Sequence, residues 1–226
     1  MAAGTVDSRR DPAVSGEALG VGSDEQSTVR VTLASYEQGI DAYFAGSTPT
    51  PIPVYAEFRY SVAALFPADA RMLEFGSGPA HDALFFEASG VRVQRTDGAA
   101  GFVGRLRSNG YDADLLDVTA DEFGGPFDIV FANAVLLHLT ADQFDEVLAK
   151  AGRAVHPQGL LAFTVKEGDG AAWTMAKLGR PRYFTYWRAP EMRERLSTAG
   201  WEPLNLHHVQ GRFEPWLYLI CWRAPQ

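Results

Sequence analysis

Residues 71–98, RMLEFGSGPAHDALFFEASGVRVQRTDG, decide the reading of this chain. Arg71 to Phe75 form a short apolar-rich run of strand length. It stops at Gly76-Ser77-Gly78-Pro79-Ala80, a turn whose glycines can adopt backbone angles closed to other residues. Ala83, Leu84, Phe86 and Ala88 then recur at helical spacing, and Val91 to Thr96 make a second strand that closes on Asp97. The sequence thus reads strand, turn, helix, strand, acid. In an open parallel sheet the carboxyl ends of neighbouring strands leave a crevice, where free backbone N–H groups and a carboxylate hold a nucleotide-like ligand.

Glu74-Phe75-Gly76-Ser77-Gly78-Pro79-Ala80 resembles the acid-x-Gly-x-Gly-x-Gly loop of the Rossmann-like S-adenosylmethionine-dependent methyltransferases. Asp97 stands where that family keeps an acid after its second strand. The resemblance runs over about residues 60 to 223 and departs from the pattern at Ala80, where the family has a third glycine. It implies an α/β fold: a seven-stranded, mostly parallel sheet ending in an antiparallel hairpin, helices on both faces and an N-terminal helical lid. It also implies S-adenosylmethionine as cofactor. Gly76, Ser77 and Gly78 then let the ligand approach, Glu74 orients its methionine end, and Asp97 binds the ribose hydroxyls beside Gly98. Asp117 and Val118 meet the adenine, Asn133 closes the fourth strand against the ligand, and Tyr36 reaches it from the lid.

The remaining pattern sets the domain plan. Residues 1–28, rich in Gly, Ser, Ala, Asp and Glu, read as a disordered tail, and residues 29–226 as one domain. Leu33, Tyr36, Ile40, Tyr43 and Phe44 predict a helix from Val29 to Gly46. The prolines at 49, 51 and 53 break it before a second helix from Val54 to Leu65, so residues 29–66 form the lid region. Asp112 to Leu116 reads as a third strand, Phe127 to Asn133 as a fourth covered on both faces, and Leu160 to Val165 as a fifth after a turn at His156-Pro157-Gln158-Gly159. Thr140 and Pro190 each start a helix, and two strands, Trp201 to Gln210 and Phe213 to Trp222, finish the chain.

Composition narrows the partners. A formal charge of −8 and a pI near 5.1 argue against a broad nucleic-acid footprint and favour a small-molecule substrate. Cys221 lies in the apolar run LYLICW and reads as a core residue, and a lone cysteine suits a reducing cytoplasm. No apolar stretch reaches membrane-spanning length, and a monomer or homodimer is expected.

Candidate chemistry lies after the fourth and fifth strands. If the acceptor is a hydroxyl or a protonated amine, a base helps. His138 in NAVLLHLT is the first candidate and Glu167 the second. Residues 166–187 have the length and aromatic content of a specificity insertion, in which Trp173, Tyr183 and Tyr186 are candidate acceptor contacts, with Tyr43 and His138 from elsewhere. Their aromaticity suggests a flat or partly apolar acceptor, of the kind met in secondary metabolism. Tyr36 and Tyr43 are seven residues apart and share a helical face. They either pack on the sheet or close over the ligand. His207 and His208 point to opposite sides of a strand, and no Cys/His spacing fits a structural zinc site, so no metal is expected.

Overall fold

The alternating apolar positions after residue 70 build a parallel sheet whose carboxyl edge carries the site. The computed structural model describes residues 25–47, 53–211 and 213–225. Most of the tail reading, residues 1–24, lies outside them. Residues 25–28 are already helical, because the buried stripe of the first helix begins at Thr28 and Val29.

The strands are β1 (Arg71–Phe75), β2 (Arg92–Asp97), β3 (Asp114–Leu115), β4 (Phe127–Asn133), β5 (Val155–Lys166), β6 (Ala171–Thr174), β7 (Arg182–Thr185), β8 (Trp201–Gln210) and β9 (Pro215–Arg223). Seven of them form one sheet in the order β3-β2-β1-β4-β5-β9-β8. The first five are parallel, and β9 runs antiparallel between β5 and β8. This is the expected Rossmann-like sheet with its terminal hairpin. The order reverses direction between β1 and β4, where neighbouring crossovers leave opposite faces and a crevice opens.

The helices are α1 (Glu25–Gln38), α2 (Ile40–Gly46), α3 (Pro53–Ala63), α4 (His81–Ala88), α5 (Ala100–Ser108), α6 (Ala141–Ala154) and α7 (Ala189–Thr198). Period-two alternation along β4 feeds both faces. Ile129 and Phe131 pack with Phe58, Val62 and Phe86 of α3 and α4, whereas Val130 and Ala132 pack with Phe144, Leu148 and Leu196 of α6 and α7. The α6 start is fixed by a reciprocal cap: Gln143 N–H donates to Thr140 Oγ1 and Thr140 N–H to the Gln143 side chain. Losing such a cap costs about 0.5–2 kcal/mol. Trp201, fully buried, donates its indole N–H to the Leu148 carbonyl at 3.0 Å and ties α6 to β8.

Three local expectations change. The helix drawn over Val29 to Gly46 breaks at Gly39, whose N–H bonds to the Tyr36 carbonyl and whose added Cβ would meet Ser35 O and Leu178. The turn at residues 156–159 is a bulge inside β5, with pairing jumping from Phe127↔Val155 to Ile129↔Leu160 and Gln158 at φ 69°. The 166–187 insertion is a hairpin of β6 and β7 that α1 packs against. Among the described residues no helix is long and apolar enough to cross a membrane.

Candidate cofactor and acceptor site

The ends of β1, β2, β3 and β4 open into a cavity of about 770 Å³, its mouth included, roofed by α1 and α2. That size suits a nucleoside-scale ligand. The β1 turn builds one wall. Gly76 sits at φ 62°, and a Cβ there would stand 2.4 Å from Val135 Cγ2; Gly78 sits at φ 47°. The turn therefore needs glycine at Gly76 both for its backbone angle and for the closeness of Val135. Ala80, at the family's third glycine position, is fully buried at φ 63° and carries the strain that glycine would avoid.

Glu74 is buried beneath the turn and accepts from the Ser77 hydroxyl. Burial first, then the nearby Asp82 charge, push its carboxyl up to about 8. Asp97 closes β2. One of its oxygens accepts the Gly78 N–H at 3.0 Å and the other the Ala99 N–H at 2.9 Å, so the acid grips the glycine turn directly. Burial raises its pKa to about 6, against the pull of those backbone donors. Gly98 has no room for a side chain, because Leu33 of α1 lies 2.8 Å from where its Cβ would be.

Past β3, Asp117 accepts from the Thr119 N–H at 2.8 Å and the Thr119 hydroxyl at 2.7 Å, which holds the loop so that Asp117 and Val118 line the cavity. Asn133 also lines it. Its amide is engaged, donating to Asp82 at 3.1 Å and accepting from Thr164 at 2.8 Å, so it braces the β4 end. Tyr36 and Tyr43 face the cavity edge to face, 5.7 Å apart, and Tyr43 comes within 3.9 Å of where a Gly78 Cβ would stand.

His138 sits in a 3-10 turn, Leu136–His138, after β4 and is buried on the cavity wall. Its Nδ1 must donate, because its partner at 2.6 Å is the Tyr183 carbonyl; its Nε2 therefore accepts the Tyr36 hydroxyl proton at 2.9 Å. Burial is the main reason its pKa falls to about 3, with the charges of Arg182 and Lys166 adding to it. A neutral imidazole with both nitrogens engaged fixes Tyr36 rather than offering a free base.

The other candidates lie further out. Glu167 lies outside the cavity lining, with its carboxylate 2.9 Å from Nδ1 of the exposed His208. Trp173 and Tyr183 pack on each other in the roof hairpin, ring centres 5.4 Å apart, and Tyr186 lies beside Lys166. The hairpin touches the site through its backbone: Tyr183 N–H donates to Thr32 and the Pro181 carbonyl accepts from Ser35, both on α1. Sequence reasoning missed Arg182, which donates to the Tyr36 hydroxyl at 3.1 Å. Among the described residues no three His, Cys, Asp or Glu side chains are placed to hold a metal ion.

A family model described as a methyltransferase domain matches residues 53–206. The chain belongs to the methyltransferase-domain family. Solved structures share its fold. The Burkholderia thailandensis 1,6-didemethyltoxoflavin N1-methyltransferase, solved with 1,6-didemethyltoxoflavin and S-adenosylhomocysteine, is 20% identical, with 90% of this chain and 92% of that one aligned at a TM-score of 0.68. DhpI in complex with SAH is 21% identical over 90% and 100% of the chains, TM-score 0.73. The [4+2]-cyclase SpnF also shares the fold, at 17% identity over 75% and 82%, TM-score 0.60. No curated protein matches the chain by sequence. In this methyltransferase domain the matched residues include every strand end that lines the cavity, while α1 and α2 lie ahead of the match.

Proposed function

We propose that the chain transfers a methyl group from S-adenosylmethionine to an oxygen, nitrogen or carbon nucleophile of a small molecule. The observation that carries this reading is the convergence of Gly76, Gly78, Asp97, Gly98, Asp117 and Val118, from three successive strand ends, on one cavity. The residues fit the cofactor. The strained glycine turn leaves backbone close to the cavity, the Asp97 carboxylate faces a site for paired hydroxyls, and Asp117 with Val118 offers an acceptor beside an apolar edge.

Bound there, S-adenosylmethionine would supply an electrophilic methyl on a sulfonium, open to in-line attack with the thioether of S-adenosylhomocysteine as the leaving group. The chain's own part is to hold, orient and exclude water. Asp97 anchors the ribose, Glu74 and Ser77 brace the turn at the methionine end, and Tyr43 covers Gly78. Tyr36 stands on the acceptor side, fixed by His138 and Arg182. Much of the acceleration in such a site comes from alignment in a water-poor pocket, where effective molarities of about 10⁵ M or more are reached without a dedicated base. The roof of α1 and the β6–β7 hairpin, together with a net charge of −8, favours a free small molecule over nucleic acid.

The test is calorimetric titration with S-adenosylhomocysteine, with NADH and NADPH in parallel. Micromolar binding of the first alone, weakened at least about tenfold in Asp97→Ala, is expected from the loss of a charged hydrogen-bonding partner. Binding of the nicotinamides alone, or unchanged affinity in Asp97→Ala, overturns the reading.

A further inference from the structure

Arg182 is 6% exposed, yet both of its bonded partners are neutral. Nη1 donates to the Tyr36 hydroxyl at 3.1 Å, Nη2 to the Ala176 carbonyl at 2.5 Å, and Nε has no partner among the described residues. No described carboxylate pairs with it. Arg95, equally buried, shows the usual solution, an ion pair with Glu87 at 2.5 Å. Burying an uncompensated guanidinium is costly enough that such charges are normally paired, so a fold that keeps one beside a ligand cavity leaves the counter-charge to the ligand.

Two lysines stand nearby, one of them already paired. Lys177 places its ammonium 4.0 Å from the centre of the Tyr43 ring, and Lys166, paired with Glu214 at 2.6 Å, sits 3.7 Å over the Phe184 ring. The carboxylates of the site, Asp97 and Asp117, belong to the strand ends that receive the nucleoside. The guanidinium lies one hydrogen bond behind the cavity wall with the Tyr36 hydroxyl between. That hydroxyl donates to His138 now and can turn to a ligand oxygen while still accepting from Arg182.

Resting on the methyltransferase reading, we propose that the acceptor carries an anionic group, a carboxylate or a phosphate or phosphonate, held at Tyr36 by the charge of Arg182. His138, packed edge to face on the Tyr36 ring, keeps that ring in place whichever way its hydroxyl points. The neighbours of Arg182 are Tyr36, Ala176 and Phe184, none of them in the glycine turn, which sets this charge apart from the methionine end of the cofactor.

The experiment titrates the S-adenosylhomocysteine-saturated protein with benzoate, phenylphosphonate and benzyl alcohol, probes that share a ring and differ in charge. At least one anion is expected to bind tenfold or more tightly than the alcohol, and the better of the two names the anion class. In Arg182→Gln that preference falls to within twofold, Arg182→Lys keeps part of it, and S-adenosylhomocysteine affinity changes less than twofold. Equal binding of benzoate, phenylphosphonate and benzyl alcohol by the wild type overturns the proposal without any variant. So does an anion preference that survives Arg182→Gln. A tenfold loss of S-adenosylhomocysteine affinity in Arg182→Gln also overturns it, and would assign the guanidinium to the cofactor's own carboxylate. Failure of the wild type to bind S-adenosylhomocysteine refutes the methyltransferase reading itself, a separate result.

Discussion

Replacing Gly76 by alanine tests the glycine turn with a magnitude worked from its geometry. An L-residue at φ 62° costs about 1–2 kcal/mol relative to glycine, less about 0.4–1 kcal/mol regained from a stiffer unfolded chain. The new methyl would also lie 2.4 Å from Val135 Cγ2, an overlap whose relief by side-chain or backbone shifts costs about 1–3 kcal/mol. The sum is a loss of about 1–4.5 kcal/mol. Val135 is only partly buried, so Val135→Ala alone costs about 1 kcal/mol. In the double variant the overlap disappears and only the backbone strain remains. Urea unfolding followed by the fluorescence of the five tryptophans gives the four stabilities of the cycle. A favourable coupling of about 1–3 kcal/mol between Gly76→Ala and Val135→Ala is expected, with S-adenosylhomocysteine affinity down at least tenfold in Gly76→Ala. Additive costs within about 0.5 kcal/mol would refute the steric argument, since residues in contact must couple.

Two further outcomes follow from the site. His138 has a pKa of about 3 in the folded protein against an ordinary 6.5, so between those values the unfolded chain binds more protons and stability falls as pH falls below 6.5. By pH 5 the loss is about 1.5 pKa units, or about 2 kcal/mol; the raised pKa values of Glu74 and Asp97 act in the opposite sense and are common to the wild type and His138→Gln. Comparing urea unfolding of the two at pH 7.5 and 5 should show the wild type losing about 2 kcal/mol more, and equal losses would sink the assignment. Glu167→Ala breaks only a half-exposed pair with His208, so it should cost under about 1 kcal/mol and leave methyl transfer within twofold; a hundredfold rate loss in a labelled-methyl assay would bring Glu167 into the chemistry.

That Gly76, Gly78 and Asp97 meet at one cavity was legible because the determinants are local. Gly76, Gly78 and Asp97 lie within one strand-turn-helix-strand unit, and the bond from the Gly78 N–H to the Asp97 carboxylate spans 19 residues. The mostly parallel seven-stranded sheet and its terminal hairpin followed from the family resemblance, and the strand order came with the structure. The acceptor half was not legible in the same way. Tyr36 meets His138 across 102 residues and Arg182 across 146, and no periodicity encodes which roof residue lands on which wall. His138 stood out by type and place, but the partner of its Nδ1, the Tyr183 carbonyl, comes from the β6–β7 hairpin, and its neutrality comes mainly from burial. An aromatic-rich stretch gave no sign of being a hairpin, and two of its contacts to α1, at Tyr183 and Pro181, run through backbone groups that no side-chain pattern records. The break at Gly39 was hidden because the apolar spacing of Tyr36, Ile40 and Tyr43 continues through it.

The roof helix and the hairpin come from chain segments on either side, in sequence, of the strands β1–β4 that frame the cavity, residues 25–46 and 171–185, and they clasp each other through Thr32, Ser35 and Arg182. The residues that line the cavity run from Val29 to Leu139, ahead of the hairpin. The two segments therefore hold their place over the cavity as one unit. Exchanging both segments together between relatives is accordingly the graft that keeps its hydrogen bonds; exchanging either one alone breaks the clasp at its middle.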